Sequence, residues 1–172
     1  MADHHGSVPE NVQDVYVNVN GELVPGDEPH ISAVDRGLLY GDDVFDSFPV
    51  YDSKAILFDR HLDRLYRSIK GARIDVPIPK GEMRQRVAET LEASELKNGG
   101  CRIIVTRGVG SGIRNASELD EPTVIVIPVN LPADDINYAK SEPIEVTARI
   151  ASTRTVPPDV VDPTIKDGNY LN

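Results

Sequence analysis

Lys166 is the residue best placed to act as a nucleophile, because it lies in an apolar segment punctuated by proline and glycine, Asp162-Pro163-Thr164-Ile165-Lys166-Asp167-Gly168-Asn169-Tyr170-Leu171-Asn172. An amine attacks only when unprotonated, so a reactive lysine belongs where burial or neighbouring positive charge lowers its pKa. The competing reading is a lysine whose stem lies on apolar surface while its ammonium reaches water. Arg64, in His61-Leu62-Asp63-Arg64-Leu65, carries the planar fork that grips an oxyanion with two hydrogen bonds. Its alternative is an exposed helical arginine paired with Asp63 or Asp59. His61 is either a general base or a residue that orders the start of that helix. Arg102, Arg107 and Arg114 are three further cations that could hold a carboxylate.

The elements that must position these side chains follow from periodicity. Val15, Val17 and Val19 alternate, Asn20-Gly21 supplies a turn that accepts positive φ, and Glu22 to Val24 returns as the partner strand. Leu38 to Tyr51 is rich in β-formers but interrupted by Gly41 and Pro49, which predicts a bent or bulged strand. Asp35-Arg36-Gly37 before it reads as a turn with a permissive glycine. Ala55 to Phe58 is the next short strand. Asp59 is the expected N-cap of a helix that shows Leu62, Leu65, Tyr66 and Ile69 on one face and ends near Gly71. A second helix is expected from Lys80 to Lys97, with Met83, Val87 and Leu91 recurring every four residues between Pro79 and Asn98-Gly99-Gly100. Two β-branched runs, Arg102 to Val109 and Thr123 to Val129, read as buried strands, and Ile144 to Ile150 as another. Strands, then helices, then strands predict an α+β fold. Gly108 to Gly112 lacks the following Lys-Ser or Lys-Thr of a phosphate cradle and reads as a loop.

The domain organisation expected is a disordered N-terminus at 1–12, a small domain at 13–130, a linker at 131–137, and at 138–172 the start of a larger domain carrying the lysine. The 172 residues hold 40% apolar and 27% charged side chains, ordinary for a soluble protein. Against 28 acidic residues stand 18 basic ones, and a net charge of −10 repels nucleic acid and anionic membrane alike. No apolar run approaches the roughly 18 residues of a membrane span. One cysteine, Cys101, excludes an intrachain disulfide and fits a reducing, cytoplasmic setting. No metal site is expected; His4-His5 is a polar terminal pair.

Three strings in order, "DRGLLYGDDVFDSF" (Asp35 to Phe48), "DRHLDRLYRS" (Asp59 to Ser68) and the Lys166 segment, closely resemble the class IV family of pyridoxal 5'-phosphate (PLP) aminotransferases. The resemblance runs from about Val15 to the last residue. It implies the N-terminal domain of a D-amino-acid aminotransferase-like PLP enzyme, a mixed sheet with two helices, followed by the start of the second domain. It further implies that Lys166 holds PLP as a Schiff base and then moves the proton between substrate and cofactor, that Arg64 binds the phosphate, and that Tyr170 lies near the ring oxygen. Phe45 matches an aromatic wall position facing the substrate. Arg102 matches the arginine of branched-chain enzymes, with Gly100 where they have tyrosine. Arg114 sits closer to the carboxylate trap of the D-amino-acid pattern, and Arg107 competes with both. Where the family more often has Gly-Asp-Gly, an aromatic and Glu, this chain has Asp42-Asp43-Val44-Phe45-Asp46.

The reaction implied is exchange of an amino group between an amino acid and a 2-oxo acid, with branched-chain substrates first. D-amino acids or (R)-amines come next, then elimination by an aminodeoxychorismate lyase. Family members continue past their lysine and are expected to be dimers, so the 172 residues alone are expected not to transaminate without the C-terminal portion. Two other classes compete: an inactive dimerising fragment, and a binding protein that uses its arginines for phosphorylated ligands.

Overall fold

The structure, a computed structural model, describes residues 14–75, 78–109, 122–130, 147–150, 152, 154 and 156–169. Its opening hairpin follows from Asn20 and Gly21, which take φ of 54° and 98° and join β1 (Tyr16–Val19) to β2 (Glu22–Pro25). Asn20 also fastens the hairpin to the rest of the sheet. Its Oδ1 accepts from the Val124 amide at 2.7 Å, and its own amide donates to the Val124 carbonyl at 2.8 Å.

After the hairpin come α1 (Arg36–Tyr40), β3 (Asp43–Tyr51), β4 (Lys54–Ala55), α2 (Phe58–Gly71), α3 (Lys80–Ala93), β5 (Gly99–Thr106) and β6 (Val124–Asn130). The strands form one sheet in the order β2-β1-β6-β5-β3-β4. The α+β class holds. Each strand pairing among the described residues is antiparallel, where a mixed sheet was expected.

Alternation along the strands separates two faces. Val44, Phe48 and Val50 of β3, Cys101, Ile103 and Val105 of β5, and Val124 and Val126 of β6 are buried on one of them. Leu62, Leu65 and Ile69 of α2 and Met83, Val87 and Leu91 of α3 cover it, at the spacings that line one face of a helix. Leu65 and Met83 are fully buried, so truncating either to alanine costs about 2–5 kcal/mol. Burial pushes the Cys101 thiol up to about 12, which leaves it a packing residue rather than a reactive one. The opposite face of β3 and β5 is where the candidate site lies.

Several local expectations are corrected. Leu38 to Tyr40 is helical, not strand: Asp35 caps α1 by accepting from the Gly37 amide at 2.7 Å, and Gly41 ends it in the left-handed region at φ 63°. With that turn assigned to α1, β3 runs as one regular strand of nine residues. Asp59 is not the N-cap of α2. That place falls to Leu57, itself at φ 51°, and Asp59 lies inside the first turn paired with Arg84. Helix α3 stops at Ala93, where the Ser94 hydroxyl turns back to the Thr90 carbonyl and, at 3.2 Å, to the Tyr16 carbonyl of β1. The short strand expected at 55–58 shrinks to β4, because Phe58 begins α2. Residues 147–150 are not in a strand, while 144–146, the proposed linker and the first 13 residues lie outside the described part.

Candidate active site

Antiparallel register brings β3 and β5 side chains into facing rows. Phe45 lies opposite Ile104, and Ser47 opposite Arg102. Asp43, Phe45 and Ser47 share the face turned away from the helices, since the residues between them are core. The Ser47 hydroxyl accepts from Nε of Arg102 at 3.1 Å, which holds the guanidinium over that face with its carbon 4.8 Å from the Phe45 ring centroid.

The lysine segment docks along the edge of β3. The Phe45 amide donates to the Lys166 carbonyl at 2.9 Å, and Val44 forms an isolated antiparallel bridge with Asp167. On its other side the Lys166 amide donates to the Ser68 hydroxyl of α2 at 3.0 Å. Ile165 packs against the core cluster, and a Cβ at Gly71 would stand 2.8 Å from its Cγ1, so the end of α2 is shaped to receive it. Held at both backbone polar groups, Lys166 projects its Nζ over the Phe45 ring at 4.0 Å from the centroid, a cation–π contact. Lys166, Phe45, Arg102, Asp43, Ser47, Ile104 and Gly168 line a cavity of about 580 Å³. Thus three of the residues expected from sequence, Lys166, Phe45 and Arg102, come together.

Arg64 is four residues before Ser68 on α2, so it lies one helical turn from the hydroxyl that holds Lys166. Its guanidinium is aimed by Asp46, whose carboxylate accepts from Nε at 2.6 Å and from a terminal nitrogen at 2.8 Å. Nδ1 of His61 is 2.8 Å from the same carboxylate. The Asp46 side chain is 1% exposed and that of Arg64 is 43% exposed, so the fork is anchored at its root and meets solvent at its outer edge. Burial by itself would raise the Asp46 pKa. Hydrogen bonds from Arg64 and His61, and their charge, outweigh it and hold the carboxyl below its ordinary range. The alternative reading, a local pair of Arg64 with Asp63 or Asp59, is not what the structure shows: its partner is 18 residues away, and Asp63 pairs with Lys80.

Arg107 is committed elsewhere. Its Nε donates to Asp42 at 2.8 Å, and its terminal nitrogens donate to Asp42 at 3.0 Å and to the carbonyls of Ala72 and Arg73 at 2.8 and 2.7 Å. Arg36 donates to the same carboxylate at 3.0 Å. This clamp ties the start of β3 to the end of α2, and Arg107 is not among the residues that line the cavity. Four of its five N–H donors are engaged in this clamp, away from the place expected of a residue that binds substrate carboxylate. Arg114 and Tyr170 lie outside the described residues.

Four contributors escaped sequence reasoning in these roles. Asp46 aims Arg64, Ser68 and Ser47 hold Lys166 and Arg102, and Asp43 stands in the cavity wall. Only Asp43 and Asp46 left a signal, standing where the resembling family strings more often have glycine and glutamate. Among the described residues no group of three His, Cys, Asp or Glu is placed to hold a metal ion, and no helix is long and apolar enough to cross a membrane.

Residues 43–172 match the family model described as amino-transferase class IV. A putative branched-chain-amino-acid aminotransferase of Methanocaldococcus jannaschii is 36% identical over 159 residues, covering 91% of this chain and 52% of its own length. An aminodeoxychorismate lyase of Bacillus subtilis is 28% identical over 160 residues, with the same two coverages. The chain thus spans about half the length of these curated relatives. Among solved structures, a branched-chain aminotransferase from the thermophilic archaeon Thermoproteus uzoniensis, solved with norvaline, superimposes with a TM-score of 0.71 at 23% identity, over 86% of this chain and 49% of that one. At that identity the likeness speaks for the fold alone.

Proposed function

The chain belongs to the amino-transferase class IV family, and from that premise we propose that it carries the lysine and the phosphate grip of a PLP-dependent transaminase acting on an amino acid and a 2-oxo acid. The observation that carries this reading is the placement of Lys166. Its backbone is fixed by Phe45 and Ser68, its amine lies on the Phe45 ring in a cavity, and an anchored arginine stands one turn away.

The residues present fit the cofactor. Lys166 would hold it through the amine, and the exposed edge of the Arg64 fork would take its phosphate with two parallel hydrogen bonds. When bound, PLP supplies an electron sink for the bond broken at the substrate carbon. The chain's own residues do the rest. Lys166 Nζ, once released, moves the proton at the substrate Cα. Arg102, tied to Ser47, pairs with the substrate carboxylate, and the Phe45 ring keeps the space between the two cations apolar. Asp46 and His61 keep Arg64 from collapsing onto the surface.

Branched-chain amino acids are the first substrates to test. The lyase relative supports a second reading, elimination rather than exchange. The exposed apolar side chains of Val34, Leu38, Leu39 and Tyr40 support a homodimer joined near α1, and a buried, lone Cys101 agrees with a cytoplasmic enzyme.

The test is borohydride reduction of the complete protein incubated with PLP, followed by peptide mass mapping. The expected result is one adduct, on Lys166, that disappears in Lys166→Ala. A substrate panel of L-valine, D-alanine, an (R)-amine and aminodeoxychorismate then separates the readings. An unmodified Lys166 would overturn the proposal.

A further inference from the structure

We propose that Asp43 sets the acceptor class of this site: its carboxylate bars a second carboxylate from the cavity, so the enzyme takes monocarboxylic 2-oxo acids in preference to dicarboxylic ones. This rests on the transaminase reading and extends it to a substrate class.

Charges are ordered along one face of β3. Asp43, Phe45 and Ser47 project to the same side, and Ser47 holds Arg102. The wall therefore runs from an acid, across an aromatic ring, to a cation, over about 13 Å of strand. A 2-oxo acid whose carboxylate is on Arg102 extends its other end along Phe45 toward Asp43. For a branched aliphatic end, the Phe45 and Ile104 side chains are a suitable floor. For a second carboxylate, the approach brings two like charges within about 7 Å, and at the effective dielectric of a partly buried site this costs about tenfold in affinity or more.

Asp43 has little freedom to withdraw. Its carboxylate lies against Gly168, where a Cβ would stand 2.5 Å from Oδ1 and 2.6 Å from Oδ2. Among the described residues no hydrogen bond or ion pair reaches it. The charged groups around it are Asp167 on the lysine segment, Asp42 just before β3, Asp35 at the cap of α1, and the cavity's own Lys166 and Arg102. Asp42 is itself neutralised by Arg36 and Arg107. Burial first, then the charges of Asp167, Asp42 and Asp35, push the Asp43 carboxyl up to about 6. It is therefore charged at pH 8 and about half neutral near pH 6, so the barrier to dicarboxylates weakens across that range. In the string shared with the family the commoner residue here is glycine, which offers no such barrier.

The test uses the complete protein loaded with PLP and measures calorimetric dissociation constants for 4-methylpentanoate and glutarate, which bind without reacting. The wild type, Asp43→Asn and Asp43→Gly are compared at pH 8 and at pH 5.8. At pH 8 the wild type should prefer the monocarboxylate by about tenfold or more over either variant's preference. That excess should shrink several-fold at pH 5.8 in the wild type, well beyond the small change that glutarate's own second ionisation brings to all three proteins. An equal preference in all three proteins, or a wild-type preference that relaxes no more than the variants' does at pH 5.8, would overturn the proposal. If neither variant folds, the wild-type pair of pH values, read with 2-oxoglutarate against 4-methyl-2-oxopentanoate as competing acceptors, decides it alone. Failure of the underlying reading shows separately, as the absence of a reducible adduct on Lys166.

Discussion

Replacing Asp46 by asparagine isolates the charge that aims Arg64 while keeping its shape. In the native protein the Asp46 carboxylate takes two hydrogen bonds from Arg64, at 2.6 and 2.8 Å, and a third contact from His61 at 2.8 Å. Asparagine keeps one acceptor and turns an amide toward a guanidinium nitrogen that also donates. Breaking one side of a fully buried ion pair costs about 3–5 kcal/mol. Arg64 is 43% exposed and can swing its charge into water, so the loss here should be smaller, about 2 kcal/mol. A freed arginine must be ordered again when phosphate binds. At about 1 kcal/mol for a long side chain this weakens PLP about fivefold.

The pH dependence has a definite sign. The Asp46 pKa is held below its ordinary value of 3.8 in the folded protein, so its stabilisation is complete above that value and lost as pH falls through the lower, folded one. The gap between wild type and Asp46→Asn should narrow below about pH 4. Urea denaturation of the complete protein gives the first quantity, and fluorescence titration with PLP the second. An unchanged urea midpoint at pH 7 together with unchanged PLP affinity would refute the reasoning, as would a gap that widens as pH falls below 4.

Two further outcomes follow from the same geometry. Arg107→Met should lower stability by about 2–3 kcal/mol, because two backbone carbonyls of the α2 end lose their donors and Asp42 keeps only Arg36; urea denaturation measures this, and the amino-acid KM should move far less than in Arg102→Met. Gly168→Ala should cost about 1–3 kcal/mol through the close approach to the Asp43 carboxylate, and Asp43→Gly in the same chain should recover most of it. Additive losses in that double-mutant cycle would mean that the two residues do not press on each other.

What sequence could reach and what it could not divide along a physical line. Periodicity found the hairpin, the two long helices and the buried strands, because each is decided by which side chains must leave water. It failed at Leu38 to Tyr40. There a β-rich composition is overruled by a cap at Asp35 and a left-handed Gly41, both set by contacts with Thr106, Thr123 and Asn169 that are distant in the chain. It failed in the same way at Asp59, whose side chain prefers Arg84 to its own helix end.

The site shows the same division more sharply. Residue type alone left both Lys166 and Arg64 with ordinary surface alternatives, and the resemblance of the strings around them is what singled them out. The partner of Arg64 was sought within five residues and is found on the neighbouring strand, since β3 places Asp46 on the helix side while Phe45 goes to the cavity side. Arg102 and Arg107 are five residues apart on one run and look alike in sequence. One leans over the Phe45 ring from within β5, and the other, just past the end of that strand, is half-buried in a clamp on Asp42.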